Sequence, residues 1–357
     1  MSEHNLNQVA PWGQLARCVV NPDHSVAYFL DADNSNLKSD GTEVDWEEVE
    51  TLSQNAMVQI PKAYSVKKYD ADGNIFHFGV SGDPQATDYV GADEWEIDHA
   101  FFRDRSVHVD AAGTPVEVDH RYIGAFLGWI DPQGKLRSLP NKTPRGSITI
   151  QAVRDAAKAM GLGWTQLDYY LWRFIQMLYI TEYGHPDSQS QIGLGYTSGA
   201  ASVSTGGTLE RGNNTYGSTA DAVQVSYRGI EDIYGNLAVM LDGCRSPNGP
   251  LDVSNVYFNN GGTGYERISA SLSMNLGNIR TIRTEPKSGF IPRTSGLTNT
   301  TGGLYDSGRN YSDGYGHVYF YFVGGAYSSG MGAGVFRTLS SRLDLYTSAE
   351  VGCRLCL

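Results

Sequence analysis

Ser226-Tyr227-Arg228-Gly229-Ile230-Glu231-Asp232-Ile233-Tyr234-Gly235-Asn236-Leu237 is the stretch that decides how this chain folds. Gly229 and Gly235 permit tight turns because they lack a Cβ. Between and beside them Arg228, Glu231 and Asn236 have the short-range geometry to pin loop backbone through side-chain hydrogen bonds. Aromatic and apolar residues alternate with these groups, so the stretch reads as two turns fastened to a core.

Its surroundings match that reading. Of 42 glycines, 29 lie from Gly184 onward, and the chain carries 22 tyrosines but only 18% charged residues. Such a composition belongs to loop-heavy β structure, in which Gly supplies positive φ and Tyr supplies amphipathic contact area. Hydrophobic residues make up 40% of the 357, enough for a sizeable core.

Upstream, two helices are expected. Ser147 or Thr149 can cap one over residues 150–160, which Gly161 and Gly163 end. Thr165 can cap a longer one that ends near Gly184. Its Leu167, Leu171, Phe174, Ile175 and Leu178 share a stripe, and Tyr170, Trp172 and Tyr179 lie around it, so it reads as a central, buried helix. From Leu15 to about Val80 the pattern is strand-like, with a hairpin signal at Asn21-Pro22-Asp23-His24 and an alternating stretch from Met57 to Val66. After Gly184 long loops alternate with short strands, at Val239–Leu241, Val256–Phe258 and His317–Phe322. Loops of that length are generally functional. Residues 1–14 are polar and contain Pro11, so they read as an arm.

Together with Phe322-Val323-Gly324-Gly325-Ala326-Tyr327-Ser328-Ser329-Gly330 and the terminal Glu350-Val351-Gly352-Cys353-Arg354-Leu355, the opening stretch resembles the closing half of a C-type-lectin-like domain. The resemblance is to domains of phage receptor-binding proteins and of diversity-generating-retroelement variable proteins, the lectin-like architecture shared with formylglycine-generating enzymes. It covers roughly Thr149 to Leu357. Met57-Val58-Gln59-Ile60-Pro61-Lys62-Ala63-Tyr64 is similar to a strand found ahead of this domain in phage proteins. The family's Trp-rich strand after Gly-Asn is replaced here by Leu237-Ala238-Val239-Met240-Leu241.

The resemblance implies an α+β chain: a β-rich N-terminal attachment domain over 15–146 after the arm at 1–14, then a C-type-lectin-like domain over 147–357. That second domain would hold about two core helices, short strands and long displayed loops. It implies a virion surface protein that binds a host-cell receptor, glycan or protein. Positions displayed toward a ligand in such relatives correspond to Tyr327, Ser328, Ser329, Met331, Arg337, Ser340, Ser341 and Tyr346. Tyr305, Tyr311 and Tyr315 join them because they sit among Ser, Gly, Asp and Asn, the mixture of rigid aromatic anchors and adaptable polar groups that makes paratope-like surfaces. Arg228, Gly229, Glu231, Gly235, Asn236, Gly324 and Gly325 are expected to build the scaffold. The expected partners are other virion proteins, the host receptor and further copies of the chain, a homotrimer being favoured.

The competing reading is a purely structural virion component, such as a head fibre, decoration or tail-tip protein, since Tyr-rich loops serve permanent interfaces equally well. An enzyme is not expected. Cys18, Cys244, Cys353 and Cys356 offer one C-x-x-C without a second zinc-spaced pair, and read as small buried thiols. Asp31-Ala32-Asp33-Asn34-Ser35-Asn36 and Asp70-Ala71-Asp72-Gly73-Asn74 lack the closing Glu of a calcium loop and read as turns. The histidines have no metal-binding spacing, and Gly193-Leu194-Gly195 lacks the third glycine of a nucleotide fingerprint. No metal and no cofactor is expected. A net charge of −12 opposes nucleic acid and anionic membrane as partners. With no ~20-residue apolar run and no signal pattern at Met1–Asn5, assembly into a virion in the host cytoplasm is expected.

Overall fold

In the computed structural model the described residues are 6–69, 75–85, 90–269, 274–285, 287–296, 306–310, 315 and 317–357. The chain is β-rich with few helices, an α+β arrangement built on two larger sheets.

The first sheet is antiparallel and runs in the order 165–166, 355–356, 120–124, 55–61, 16–20, 26–29. Asn55–Pro61 is central, with Ala56, Met57, Val58 and Ile60 all buried, so both of its faces are covered. Leu357 exchanges backbone hydrogen bonds with Tyr122 at 2.9 and 3.0 Å. The last residue of the chain is thus stitched to the sheet that the first strands begin. The sheet joins residues from both sides of the boundary expected at 146/147, because 355–356 pairs with 120–124 on one side and with 165–166 on the other.

The second sheet runs 266–267, 252–253, 238–247, 318–324, 334–342, 307–310, 274–282, 292–296, with 351–352 parallel to 238–247. Its centre is the hairpin of Val318–Gly324 and Gly334–Arg342. Val256–Phe258, expected as a strand, is irregular. Phe258 is nevertheless buried, with the Arg103 guanidinium 5.0 Å from its ring.

Four helices are described: α1 (Trp46–Thr51), α2 (Ile150–Lys158), α3 (Tyr169–Tyr183) and α4 (Ser188–Gln191). Thr149 caps α2 by accepting from the Ala152 amide at 3.2 Å. Every residue of α3 from Tyr169 to Ile180 is buried, as expected of a helix apolar around most of its circumference. Its cap differs from expectation. Asp168 accepts from the Leu171 amide, while Thr165 is drawn into the first sheet opposite Cys356. Two polar side chains of α3 find partners in the core: Gln176 donates to the Val335 carbonyl at 2.9 Å, and Arg173 pairs with Asp98.

Residues 6–14 do not form a free arm. Trp12 is 3% exposed, its indole N–H donates to the Leu178 carbonyl of α3 at 3.2 Å, and Leu6 packs on the same core. The polar residues around Pro11 hid one aromatic anchor large enough to dock the segment. Buried ion pairs fasten the core further, with Arg154 bidentate to Asp242 at 2.7 Å and Arg121 on Asp168 at 2.5 Å.

Candidate functional site

The stretch that opened the sequence analysis forms a compact turn unit. Ser226-Tyr227 pairs with Ile230-Glu231, and the two residues between, Arg228 and Gly229, both have positive φ (49° and 83°). A two-residue hairpin of that kind demands positive φ at both central positions, which Gly229 takes without strain. Arg228 holds its conformation with an ion pair to Glu182 and a hydrogen bond to Asn7 at 2.6 Å. Gly235 has a different reason to be glycine: a Cβ there would lie 2.9 Å from the Tyr196 backbone nitrogen.

From this unit three side chains reach into the loops. Glu231 accepts from the amides of Gly206 and Thr208 at 2.7 and 2.8 Å and from the Thr208 hydroxyl at 2.8 Å. Asn236 both donates to and accepts from the Val203 backbone. Its own backbone accepts from the Tyr327 amide at 2.9 Å and donates to the Tyr196 carbonyl at 2.8 Å. Asp232 accepts from the side-chain amides of Asn236 and Gln224, both at 2.8 Å. Burial, reinforced by the neighbouring Glu231 carboxylate, pushes the Asp232 carboxyl up to about 8. Beneath them Arg354 donates to the carbonyls of Gly124, Glu231 and Asp232, and Arg17 to that of Gly229.

The loop that closes the C-terminal hairpin, residues 325–333, rests on this unit. The Gly235 amide donates to Gly325 at 3.1 Å, Gly199 to Tyr327 at 2.6 Å and Gly330 to Thr197 at 2.8 Å. Gln189 at the other side donates to the Gly330 and Ala333 carbonyls at 2.9 and 3.0 Å. Gly324 and Gly325, both at positive φ, carry the chain from the strand into the loop. Loops 196–208 and 325–333 are therefore held by backbone and buried polar groups.

The displayed positions divide accordingly. Met331 is 78% exposed at the loop tip, and Ser328 beside it is exposed, its hydroxyl donating to Glu350. Tyr327 is half-buried against the main core, Ser329 accepts from the Ala326 amide at 2.9 Å, and the Arg337 guanidinium turns back to the Gly332 carbonyl at 3.0 Å. Ser340 is a correction. It is fully buried and hydrogen-bonds Tyr321, because Phe336, Thr338 and Ser340 alternate onto the inner face of their strand. Ser341 follows on that strand, its side chain outside those described. Tyr346 lies along the hairpin, its ring 5.8 Å from Phe322 and 4.6 Å from the Arg342 guanidinium. Tyr315 is 86% exposed but stands at the opposite end of the hairpin from Met331. Tyr305 and Tyr311 lie outside the described residues.

Sequence reasoning missed Gln189, Asp232 and Arg17. No local pattern marks Gln189 or Arg17, whereas Asp232 sat inside the quoted stretch between two residues that were singled out.

The remaining chemistry is quiet. Burial raises all four thiols, those of Cys18, Cys353 and Cys356 to about 12. Among the described residues no group of His, Cys, Asp and Glu has metal-binding geometry, and no helix is long and apolar enough to cross a membrane. Asp31 accepts from the Asp33 and Asn34 amides, a turn, and residues 70–74 lie outside the described ones.

No family model matches the chain, and no curated protein matches it. Among solved structures it is similar to the Major Tropism Determinant P3c and I1 variants, each at 11% identity and TM-score 0.34, over 83% of this chain and 72% of those. The Major Tropism Determinant U1 variant is similar at 12% identity and TM-score 0.33 over the same shares. TM-scores of this size do not establish a common fold.

Proposed function

We propose that this chain is a phage virion protein that binds a host-cell receptor, a glycan or a protein, through the loops around the tip of its C-terminal hairpin. The observation that carries the reading is the division of labour in those loops. Their backbones are locked by Glu231, Asn236 and Gln189, while Ser328 and Met331 face solvent. A pre-organised loop loses less conformational entropy on binding, which is what a display scaffold needs. The resemblance of the helix pair, the Arg-Gly-Ile-Glu turn and the Gly-x-Arg-Leu terminus to phage C-type-lectin-like domains supports the same assignment. On that resemblance the protein works as a homo-oligomer, with a trimer favoured, and resides in the virion beside other virion proteins. It has no catalytic role in this reading, and the raised, buried thiols support that.

The test is binding of the labelled full-length chain to intact host cells. M331D combined with S328A is expected to weaken binding about tenfold, the effect of losing central contacts, with an unchanged melting temperature. Unchanged binding by that variant would count against the loop surface.

A second reading, a structural virion component without a receptor, is favoured by one observation. Tyr315 and Leu345, 86% and 81% exposed, lie toward the end of the hairpin away from Met331, and exposed apolar groups suit a permanent contact. Electron microscopy of the particle separates the two: residues 325–333 face solvent in the first and lie between subunits in the second.

A further inference from the structure

A cavity of about 500 Å³ opens beside the start of α2, apart from the loop tip. Its walls come from places distant in sequence: Ile130, the run Arg145, Ser147 and Ile148, Asp155 on α2, and Thr347. Backbone bonds tie those walls together, Arg145 to Gly128 at 2.7 Å and Ser147 to Ser348 at 2.8 Å. The volume is within the ~300–1,000 Å³ of small-molecule sites.

The lining has a definite chemistry. Of the lining residues Ile148 is buried and Ile130 half-buried, an apolar part of the wall, while Ser147 and Thr347 are exposed and carry hydroxyls. Among the described residues no side-chain hydrogen bond or ion pair engages the Arg145 guanidinium. Asp155 receives Gln151 on Oδ1 at 3.0 Å, and its Oδ2 has no partner among the described residues. A free guanidinium selects a carboxylate, which it grips through two parallel bonds. A carboxylate oxygen and two hydroxyls suit a ligand rich in hydroxyl groups, and an apolar part of the wall suits the C–H face of a sugar ring. Asp155 disfavours a ligand crowded with negative charge, since like charges at short range repel.

We propose that this cleft binds a hydroxyl-rich monocarboxylate, a uronic acid unit of a surface polysaccharide, with Arg145 on the carboxylate and Asp155 on the ring hydroxyls. The proposal rests on the receptor reading and names a ligand class for it. Thr347 lies three residues before Glu350, which accepts from the Ser328 hydroxyl of the loop tip.

The test uses the full-length protein and galacturonic acid trisaccharide, with the neutral galactose trisaccharide beside it, followed by saturation-transfer NMR and titration calorimetry. The wild type is expected to bind the acidic sugar and to prefer it clearly over the neutral one. R145A is expected to weaken binding roughly tenfold, the loss of one charge-assisted contact, and D155N to weaken it less, both at unchanged melting temperature. Equal affinity for the neutral sugar, equal binding by R145A, or no binding at millimolar concentration overturns the proposal. If cells are bound while the trisaccharide is not, the cleft assignment falls and the receptor reading stands. If the trisaccharide is bound through Arg145 while cells are not, the cleft stands and the receptor reading falls.

Discussion

The side chain of Asn236 pairs with the backbone of Val203 as a neighbouring strand would. Its Nδ2 donates to the Val203 carbonyl and its Oδ1 accepts from the Val203 amide, each at 3.0 Å. One amide side chain thereby satisfies both polar groups of a loop residue, at a buried position where leaving them unmade is expensive. Asn also tolerates the positive φ, 59°, that this position requires.

Asn236→Ala removes both bonds and the one to Asp232. It is expected to destabilise the protein by roughly 2–3 kcal/mol, from buried groups left unpaired. Urea denaturation measures this, and a change below half that size would mean that the loop 196–208 finds other partners.

Asp232 sets a pH dependence. Its folded value, about 8, lies above the ordinary 3.8, so the folded protein holds a proton that the unfolded chain releases between those values. Stability is therefore fully supported at low pH and declines as pH rises from about 4 to about 8. Asp232→Asn keeps the hydrogen bonds, accepts the positive φ and cannot ionise. The difference between the wild-type and variant stability curves is expected to slope by up to about 1 kcal/mol per pH unit across that window. Parallel curves would show that Asp232 is already ionised in the folded state.

Trp12 anchors the N-terminal segment on α3. Trp12→Ala is expected to cost about 3–5 kcal/mol, the range for deleting a buried aromatic. Removal of residues 1–14 is expected to cost at least as much, and a shortened chain with an unchanged midpoint in urea would show that the segment is dispensable.

Ser340 and Met331 lie on one hairpin with opposite exposure, 0% and 78%. Ser340→Asp buries a charge without a partner and is expected to destabilise by more than about 3 kcal/mol. Met331→Asp is expected to change stability by no more than about 0.5 kcal/mol. Thermal melting of the two variants side by side checks the alternation.

The thiols are expected to resist labelling at neutral pH until the protein unfolds, because they are buried and protonated. Rapid modification of even one under native conditions would reopen an enzymatic reading.

Local chemistry alone determined a good part of this protein. Positive φ at Gly229, the cap at Thr149, and an α3 apolar around most of its surface all follow from side-chain size, hydrogen-bonding groups and periodicity within a few residues. Arg228, Glu231 and Asn236 could be singled out as polar groups near turns for the same reason. What they hold was decided by tertiary structure, since Thr208, Val203 and Glu182 are brought to them only when the sheets close. The same closure moved Thr165 from a helix cap into a strand, drew Trp12 out of an expected arm and turned Ser340 inward. Strand pairing and burial act between residues far apart in the chain, and no neighbouring residue records which partner will arrive.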